Sequence, residues 1–216
     1  NPEEFWTLSI QFNDDDKNSL LASITQLNDK KIEKFSFKNK TEINKAIDLI
    51  KSKKFQINDI SSKVVNRNPS GPFTTSTLQQ VSSGRLGYGA SRTMQIAQKL
   101  YQGIEIDGET IGLITYMRTD GTNLSTDAID TFRKYIKSEF GEEYLPDNVA
   151  SYSGKKAKNA QEAHEAIRPT DIMRAPDTVK KYLSPDQYKL YDLIWSRALS
   201  SQMKPAQFDR NTITIS

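Results

Sequence analysis

The chain has 216 residues, of which 36% are hydrophobic and 26% charged, and 30 Lys and Arg against 27 Asp and Glu give a net charge of +3. This is apolar enough for a folded core and long enough for one large domain or two small ones, and no run approaches the ~18 apolar residues of a membrane span. With no cysteine and a single histidine, disulfide frameworks, thiolate catalysis, cysteine-ligated zinc and multi-histidine metal sites are excluded.

The N-terminus carries no signal-peptide pattern and reads as a cut into mature sequence; the absence of cysteine fits a reducing cytoplasm. The basic surplus lies outside residues 76–202, which carry 16 basic and 16 acidic side chains. Charge is therefore not an argument for a nucleic-acid partner.

The first 65 residues read as strands around one helix. Trp6, Leu8, Ile10 and Phe12 alternate as in a half-buried strand. Leu20–Leu27 and Lys31–Phe37 are further strand candidates, with Asn28 and Asp29 as turn formers between them. Thr41 reads as an N-cap for an amphipathic helix over 42–53, with Ile43, Ala46, Ile47 and Ile50 at helical spacing. Phe55–Val65 returns to strand character.

Pro69, Gly71 and Pro72 mark a breaker cluster and a domain boundary. Beyond it the chain turns mainly helical. A short helix spans 76–86, and Ser91 is positioned to cap the next one. That helix turns Met94, Ala97 and Tyr101 inward and stops at Gly103. Ile104–Tyr116 reads as a hairpin turning at Asp107-Gly108. Ser125 or Thr126 caps a helix with Ile129, Phe132, Ile136 and Phe140 on one stripe, and Gly141 follows its end. Residues 151–160 read as an exposed loop. Ser184-Pro185 opens a long helix with Tyr191, Ile194, Trp195 and Ala198 facing in. Asn211–Ser216 alternates again, as a strand rejoining the first sheet would. The fold class is α+β: a discontinuous β-rich domain, residues 1–75 and 203–216, interrupted by a mainly helical domain over 76–202.

Asp14 and Asp16 begin a calcium-loop spacing but lack the remaining ligands and the closing Glu, so a solvated loop is expected. Neither a dinucleotide fingerprint nor a Walker A sequence is present. The informative stretch is GLITYMRTDG, Gly112–Gly121. In a strand, Tyr116 and Arg118 point to one face. A phenol is a poor nucleophile at neutral pH because its pKa is about 10, and a nearby guanidinium favours the phenolate. The same charge stabilises a phosphoryl transition state and binds its oxygens bidentately. Spacing alone does not separate this chemistry from a packed Tyr beside a surface Arg. In QEAHEAIRPT, His164 and Arg168 lie four apart, so on a helix they share a face, and both can donate to phosphate. PFTTSTLQQ, from Pro72 to Gln80, offers four hydroxyls and two amides at the domain boundary; on its own it reads as a helix start rich in N-cap residues.

Taken together, FWTLSIQF, PFTTSTLQQ, SRTMQIAQKLYQG, GLITYMRTDG and AHEAIRPT resemble, in this order, the type IA DNA topoisomerase family and its bacterial topoisomerase I branch. Met117 carries that last distinction, because topoisomerase III relatives usually have Pro between the Tyr and the Arg. Gly121 departs from the family's usual Ser. The resemblance implies that Tyr116 attacks a phosphodiester of single-stranded DNA and becomes linked to the 5′ phosphate. A second strand then passes the gap, and the backbone reseals without ATP. Arg118 matches the arginine at the scissile phosphate, His164 and Arg168 match a phosphate-binding segment, and Asp120 matches a residue that orients Arg118 or the strand end. The implied fold is a β-rich arch with an inserted, winged-helix-like helical domain bearing the tyrosine.

The resemblance further implies a Toprim domain that holds Mg²⁺, and no such domain fits before Phe5. The chain is thus expected to be a central fragment, inactive alone. Its partners would be the remaining domains of the enzyme and a single-stranded segment of negatively supercoiled DNA. No membrane is implied, and the protein would be cytoplasmic and nucleoid-associated. The alternatives are a single-stranded nucleic-acid-binding module in which Tyr116 is structural, and a protein–protein adaptor using the β domain.

Overall fold

The computed structural model describes residues 3–13, 15–152 and 165–216. Asp14 and the stretch 153–164, with His164 and most of the expected 151–160 loop, lie outside the described residues. The chain divides into two compact units, Asn1–Ser62 with Asn211–Ser216, and Lys63–Arg210.

In the smaller unit, β1 (Ser9–Asn13) pairs antiparallel with β2 (Ser19–Ser23), placing Ile10 opposite Ala22 and Phe12 opposite Leu20. β3 (Gln26–Leu27) and β4 (Lys30–Lys31) form a second hairpin. Its turn residues Asn28 and Asp29 have φ of 48° and 63°, the left-handed pair that a type I′ hairpin turn requires. The expected strand over Lys31–Phe37 shortens to β4. Its remaining backbone turns instead, with Ser36 N–H donating to the Glu33 carbonyl, while Phe37 drops into the core and its carbonyl accepts from Trp6 N–H. Helix α1 (Lys40–Lys51) starts two residues earlier than expected, so Thr41 lies inside it. Asn39 is the cap, its side chain accepting from Glu42 N–H, and the Glu42 carboxylate reaches back to Lys38 N–H at 2.9 Å. An Asn followed three residues later by Glu outcompetes Thr41 because both ends of that reciprocal pair are satisfied. Ile43 and Ala46 bury with Phe37, and Trp6, Leu8, Ile24 and Ile47 pack around them.

Two long strands, β5 (Ile57–Arg67) and β8 (Ala206–Ile215), are hydrogen-bonded neighbours. The chain after the helical stretch thus rejoins a strand laid down before it. At one end of the pair Gln56 and Ser216 exchange both backbone hydrogen bonds, at 2.8 and 3.0 Å, the pattern of antiparallel strands.

The larger unit is mainly helical. Helix α2 (Thr75–Leu86) opens on a capping box between Thr74 and Thr77 and ends at Gly87 in the left-handed region. Helix α3 (Ala90–Gln102) takes Gly89 as its N-cap, with no side-chain cap hydrogen bond, rather than Ser91. Its inward stripe is Thr93, Ile96, Ala97 and Leu100. Met94 is half-buried and Tyr101 40% exposed, so the expected inward Tyr101 is corrected. Strands β6 (Ile104–Ile106) and β7 (Glu109–Ile111) turn at Asp107-Gly108, both at positive φ. Helix α4 (Thr126–Glu139) is capped by Ser125 and buries Phe132 and Ile136, while Phe140, past its end, is exposed. A 3₁₀ turn over Glu142–Tyr144, the short α5 (Pro176–Val179) and a second 3₁₀ turn over Lys180–Tyr182 lead to α6 (Pro185–Ser200). Ser184 and Gln187 form its capping box. Leu190, Tyr191, Ile194 and Ala198 of α6 are fully buried among Leu78, Leu100, Phe132 and Ile136 from the other helices. This is one core, with α2, α3 and α6 in mutual contact.

Candidate active site

Three segments distant in sequence are laced together in the larger unit. Phe73 bridges antiparallel to Ile167, and Ile114 to Pro169. Ile167 N–H donates to the Phe73 carbonyl at 2.8 Å, Thr115 N–H to Arg168 at 2.9 Å, Thr170 N–H to Leu113 at 3.0 Å and Ala166 N–H to Asn123 at 2.9 Å. The backbone of the PFTTST, GLITYMRTDG and AIRPT stretches therefore forms one hub. Threonine hydroxyls fill what the bridges leave. Thr115 Oγ1 donates to the Ala166 carbonyl at 2.8 Å and accepts from Arg168 N–H at 3.0 Å.

The hairpin expected over Ile104–Tyr116 ends at Ile111, and Leu113–Arg118 is an irregular segment whose ladder is the single Ile114 bridge. The Ala166 carbonyl and the Arg168 N–H, both bonded to the Thr115 hydroxyl, take the place of a partner strand. The alternation survives this change. Leu113, Ile114, Met117 and Thr119 are buried, whereas Tyr116, Arg118 and Asp120 are exposed. Burying Met117 to 1% exposure leaves its two neighbours facing solvent. Tyr116 is 45% exposed, and its ring meets that of Tyr101 edge to face with centroids 5.4 Å apart. Among the described residues the Tyr116 hydroxyl has no hydrogen-bond partner, and the Arg118 guanidinium has neither a hydrogen bond nor an ion pair. Asp120 is exposed, and no ion pair joins it to Arg118.

Arg118 also lines a groove of about 750 Å³ along α3, with Arg92, Gln95, Gln98, Lys99, Gln102 and Asp186. Cationic heads and amide donors of this kind suit phosphate and sugar oxygens. Asp186 is engaged: its carboxylate accepts from Arg92 at 2.6 Å and from the Tyr88 hydroxyl at 2.9 Å. Those donors, Arg92 first, hold its pKa below the usual carboxylate value.

Arg168 sits differently from its expected place. Residues 165–170 are extended, not helical, because Ile167 and Pro169 make the two bridges to Phe73 and Ile114. The Arg168 guanidinium is occupied. Nε and Nη2 donate to one Glu165 oxygen at 3.1 and 2.8 Å, and Nη1 to the Pro169 carbonyl at 3.0 Å. The other Glu165 oxygen accepts from Ser125 N–H at 2.7 Å, tying this brace to the start of α4. His164 lies outside the described residues. Among the described residues no three His, Cys, Asp or Glu gather into a metal site. Sequence reasoning missed Thr75, Thr115 and Tyr101; for Thr75 the run of hydroxyls in PFTTST was the visible signal, but it reads equally as helix capping.

The DNA topoisomerase family profile matches residues 1–216. The chain is 47% identical over 213 residues to DNA topoisomerase 1 of Rickettsia bellii, covering 99% of this chain and 26% of that protein. It is 44% identical over 214 residues to DNA topoisomerase 1 of Haemophilus influenzae, covering 99% and 23%. Full-length topoisomerase I from Thermotoga maritima superposes with a TM-score of 0.69 at 38% identity, over 91% of this chain and 29% of that one. The chain thus spans about a quarter of the length of the curated relatives it matches. With a profile match over its full length and a close structural likeness, the chain belongs to the DNA topoisomerase family.

Proposed function

We propose that this chain is the nucleophile-bearing segment of a type IA DNA topoisomerase that relaxes negative supercoils. The carrying observation is a phenol and a guanidinium, two residues apart, both exposed and both without partners among the described residues, on a backbone fixed by the hub. Tyr116 Oη attacks the phosphorus of a phosphodiester in single-stranded DNA. The Oη–P bond forms, the P–O3′ bond breaks, and the phenolic proton ends on the departing 3′ oxygen. After strand passage the 3′ hydroxyl attacks the phosphotyrosine, and the same bonds exchange in reverse. One phosphate ester replaces another, so a covalent intermediate needs no ATP. Arg118 meets the charge spread over the phosphoryl oxygens in the transition state.

Asp120, His164 and Arg168 are read as DNA contacts on the resemblance, Arg168 by exchanging the Glu165 carboxylate for a phosphate. The Mg²⁺ of the family has no ligand set among this segment's described residues, and no step of this reading passes through it; it is assigned to a Toprim domain elsewhere in the protein. The arch and winged-helix description of the two units, the remaining domains as partners and a cytoplasmic, nucleoid-associated location belong to the same reading.

The test uses the full-length protein that carries this segment. A 3′-end-labelled single-stranded oligonucleotide should become covalently attached on denaturation, with the label mapping to Tyr116 and absent from Tyr116→Phe. A label on another residue, or one that survives Tyr116→Phe, overturns the assignment. The isolated 216-residue chain should not relax a supercoiled plasmid; Mg²⁺-dependent relaxation by it, lost in Tyr116→Phe, would refute that part.

A further inference from the structure

Thr75 is the first residue of α2, and its hydroxyl sits between the two peptide groups that flank Arg118. Oγ1 donates to the Met117 carbonyl at 2.8 Å and accepts from Thr119 N–H at 2.9 Å, with the Thr119 carbonyl a second acceptor at 3.1 Å. Thr75 N–H donates to that same Thr119 carbonyl at 2.9 Å. The first N–H groups of a helix have no acceptor within it, so this bond also satisfies the start of α2. One residue thus holds the backbone immediately before and immediately after Arg118, from more than forty positions earlier in the chain.

The clamp is mounted on a rigid support. The capping box fixes the first turn of α2, Leu78 on the next turn is fully buried, and the Phe73 carbonyl is held by Ile167 N–H. The clamped residue itself is a long, exposed side chain with no other restraint among the described residues. Fixing its backbone removes part of the freedom that must be lost when the guanidinium meets a phosphate, and defines the arc its head can sweep. Side-chain sites of this kind depend on a supporting shell that holds their geometry.

We propose that Thr75 is a positioning residue for the transesterification, acting through Arg118. The inference rests on the reading of Arg118 given above. In the full-length protein, Thr75→Val keeps the side-chain volume, removes the hydroxyl and leaves the Met117 carbonyl and Thr119 N–H unpaired. Its single-turnover cleavage of a single-stranded oligonucleotide should slow by about tenfold or more, the scale on which a small misplacement acts. Its dissociation constant for that oligonucleotide, measured with Tyr116→Phe added to block cleavage, should stay within about twofold of that of Tyr116→Phe alone, since exposed phosphate contacts are untouched. Thr75→Ser, which restores the oxygen, should cleave within about twofold of the parent. In an Arg118→Ala background Thr75→Val should add less than about twofold, because residues acting as a unit are not additive.

Parental cleavage by Thr75→Val overturns the clamp, as does the same loss factor in both Arg118 backgrounds, or a parallel loss of binding and cleavage in a folded variant. If Thr75→Val does not fold, Thr75→Cys, with a weaker and larger sulfur, is read by the same criteria. The two levels separate cleanly. An impaired Arg118→Ala with a normal Thr75→Val sinks the clamp alone, whereas full cleavage by Arg118→Ala sinks the role of Arg118 and the clamp with it.

Discussion

The ring of Tyr101, one residue before the end of α3, meets the ring of Tyr116 edge to face, with centroids 5.4 Å apart and planes inclined at 65°. The helix thereby limits the directions in which an otherwise unbonded phenol can point. Edge-to-face pairs contribute about 0.5–1.5 kcal/mol beyond the area they bury. Tyr101→Ala in the full-length protein should therefore slow formation of the covalent complex by about threefold to tenfold. Tyr101→Phe, which keeps the ring, should be near neutral. Single-turnover cleavage kinetics check both.

Gly112 starts the segment that carries Tyr116, and a Cβ built on it would lie 2.7 Å from the Tyr101 carbonyl oxygen. That neighbour is backbone, so it cannot swing aside as a flexible side chain would. Gly112→Ala should cost about 1–3 kcal/mol, the usual range for overpacking. Chemical denaturation of the parent and the variant measures it, and equal midpoints and slopes would contradict this close approach.

Met117 is the anchor that turns its neighbours outward, with 1% of its surface exposed. Met117→Ala should destabilise the larger unit by about 2–5 kcal/mol, as core truncations do, whereas Met117→Leu should cost less than about 1.5 kcal/mol. Thermal and denaturant unfolding compare the two. The Ala variant should also lose cleavage rate, since the backbone between Tyr116 and Arg118 loses its hold on the core.

Asp186, at the start of α6, has its pKa lowered by hydrogen bonds from Arg92 and then Tyr88. A carboxyl whose folded pKa lies below its unfolded value of about 4 stabilises the fold fully above that unfolded value. The contribution disappears as pH falls through the folded value. Asp186→Asn should therefore be less stable than the parent at pH 7, and the gap should close on acidification below about pH 4. Denaturation at a series of pH values checks this, and a gap that widens in acid would contradict it.

Much of this molecule was legible from local pattern. The apolar stripe of α6, Phe132 and Ile136 of α4, the Ser125 and Ser184 caps, and the turns at Asn28-Asp29 and Asp107-Gly108 all depend on residues within one turn of each other. So does the shared exposed side of Tyr116 and Arg118, which follows from alternation along an extended chain whether or not a partner strand exists. Other features follow from contacts between remote positions. The extended course of 165–170 is set by bridges to Phe73 and Ile114, against the helical spacing of His164 and Arg168. Arg168 is committed to Glu165 and Pro169, and Tyr101 turns from the core to Tyr116. Thr75 reaches 42 positions along the chain to the Met117 carbonyl. A hydroxyl can bond a neighbouring amide or a distant carbonyl with similar energy. Composition and periodicity are blind to that choice, and packing of α2, α3 and α6 around one core makes it.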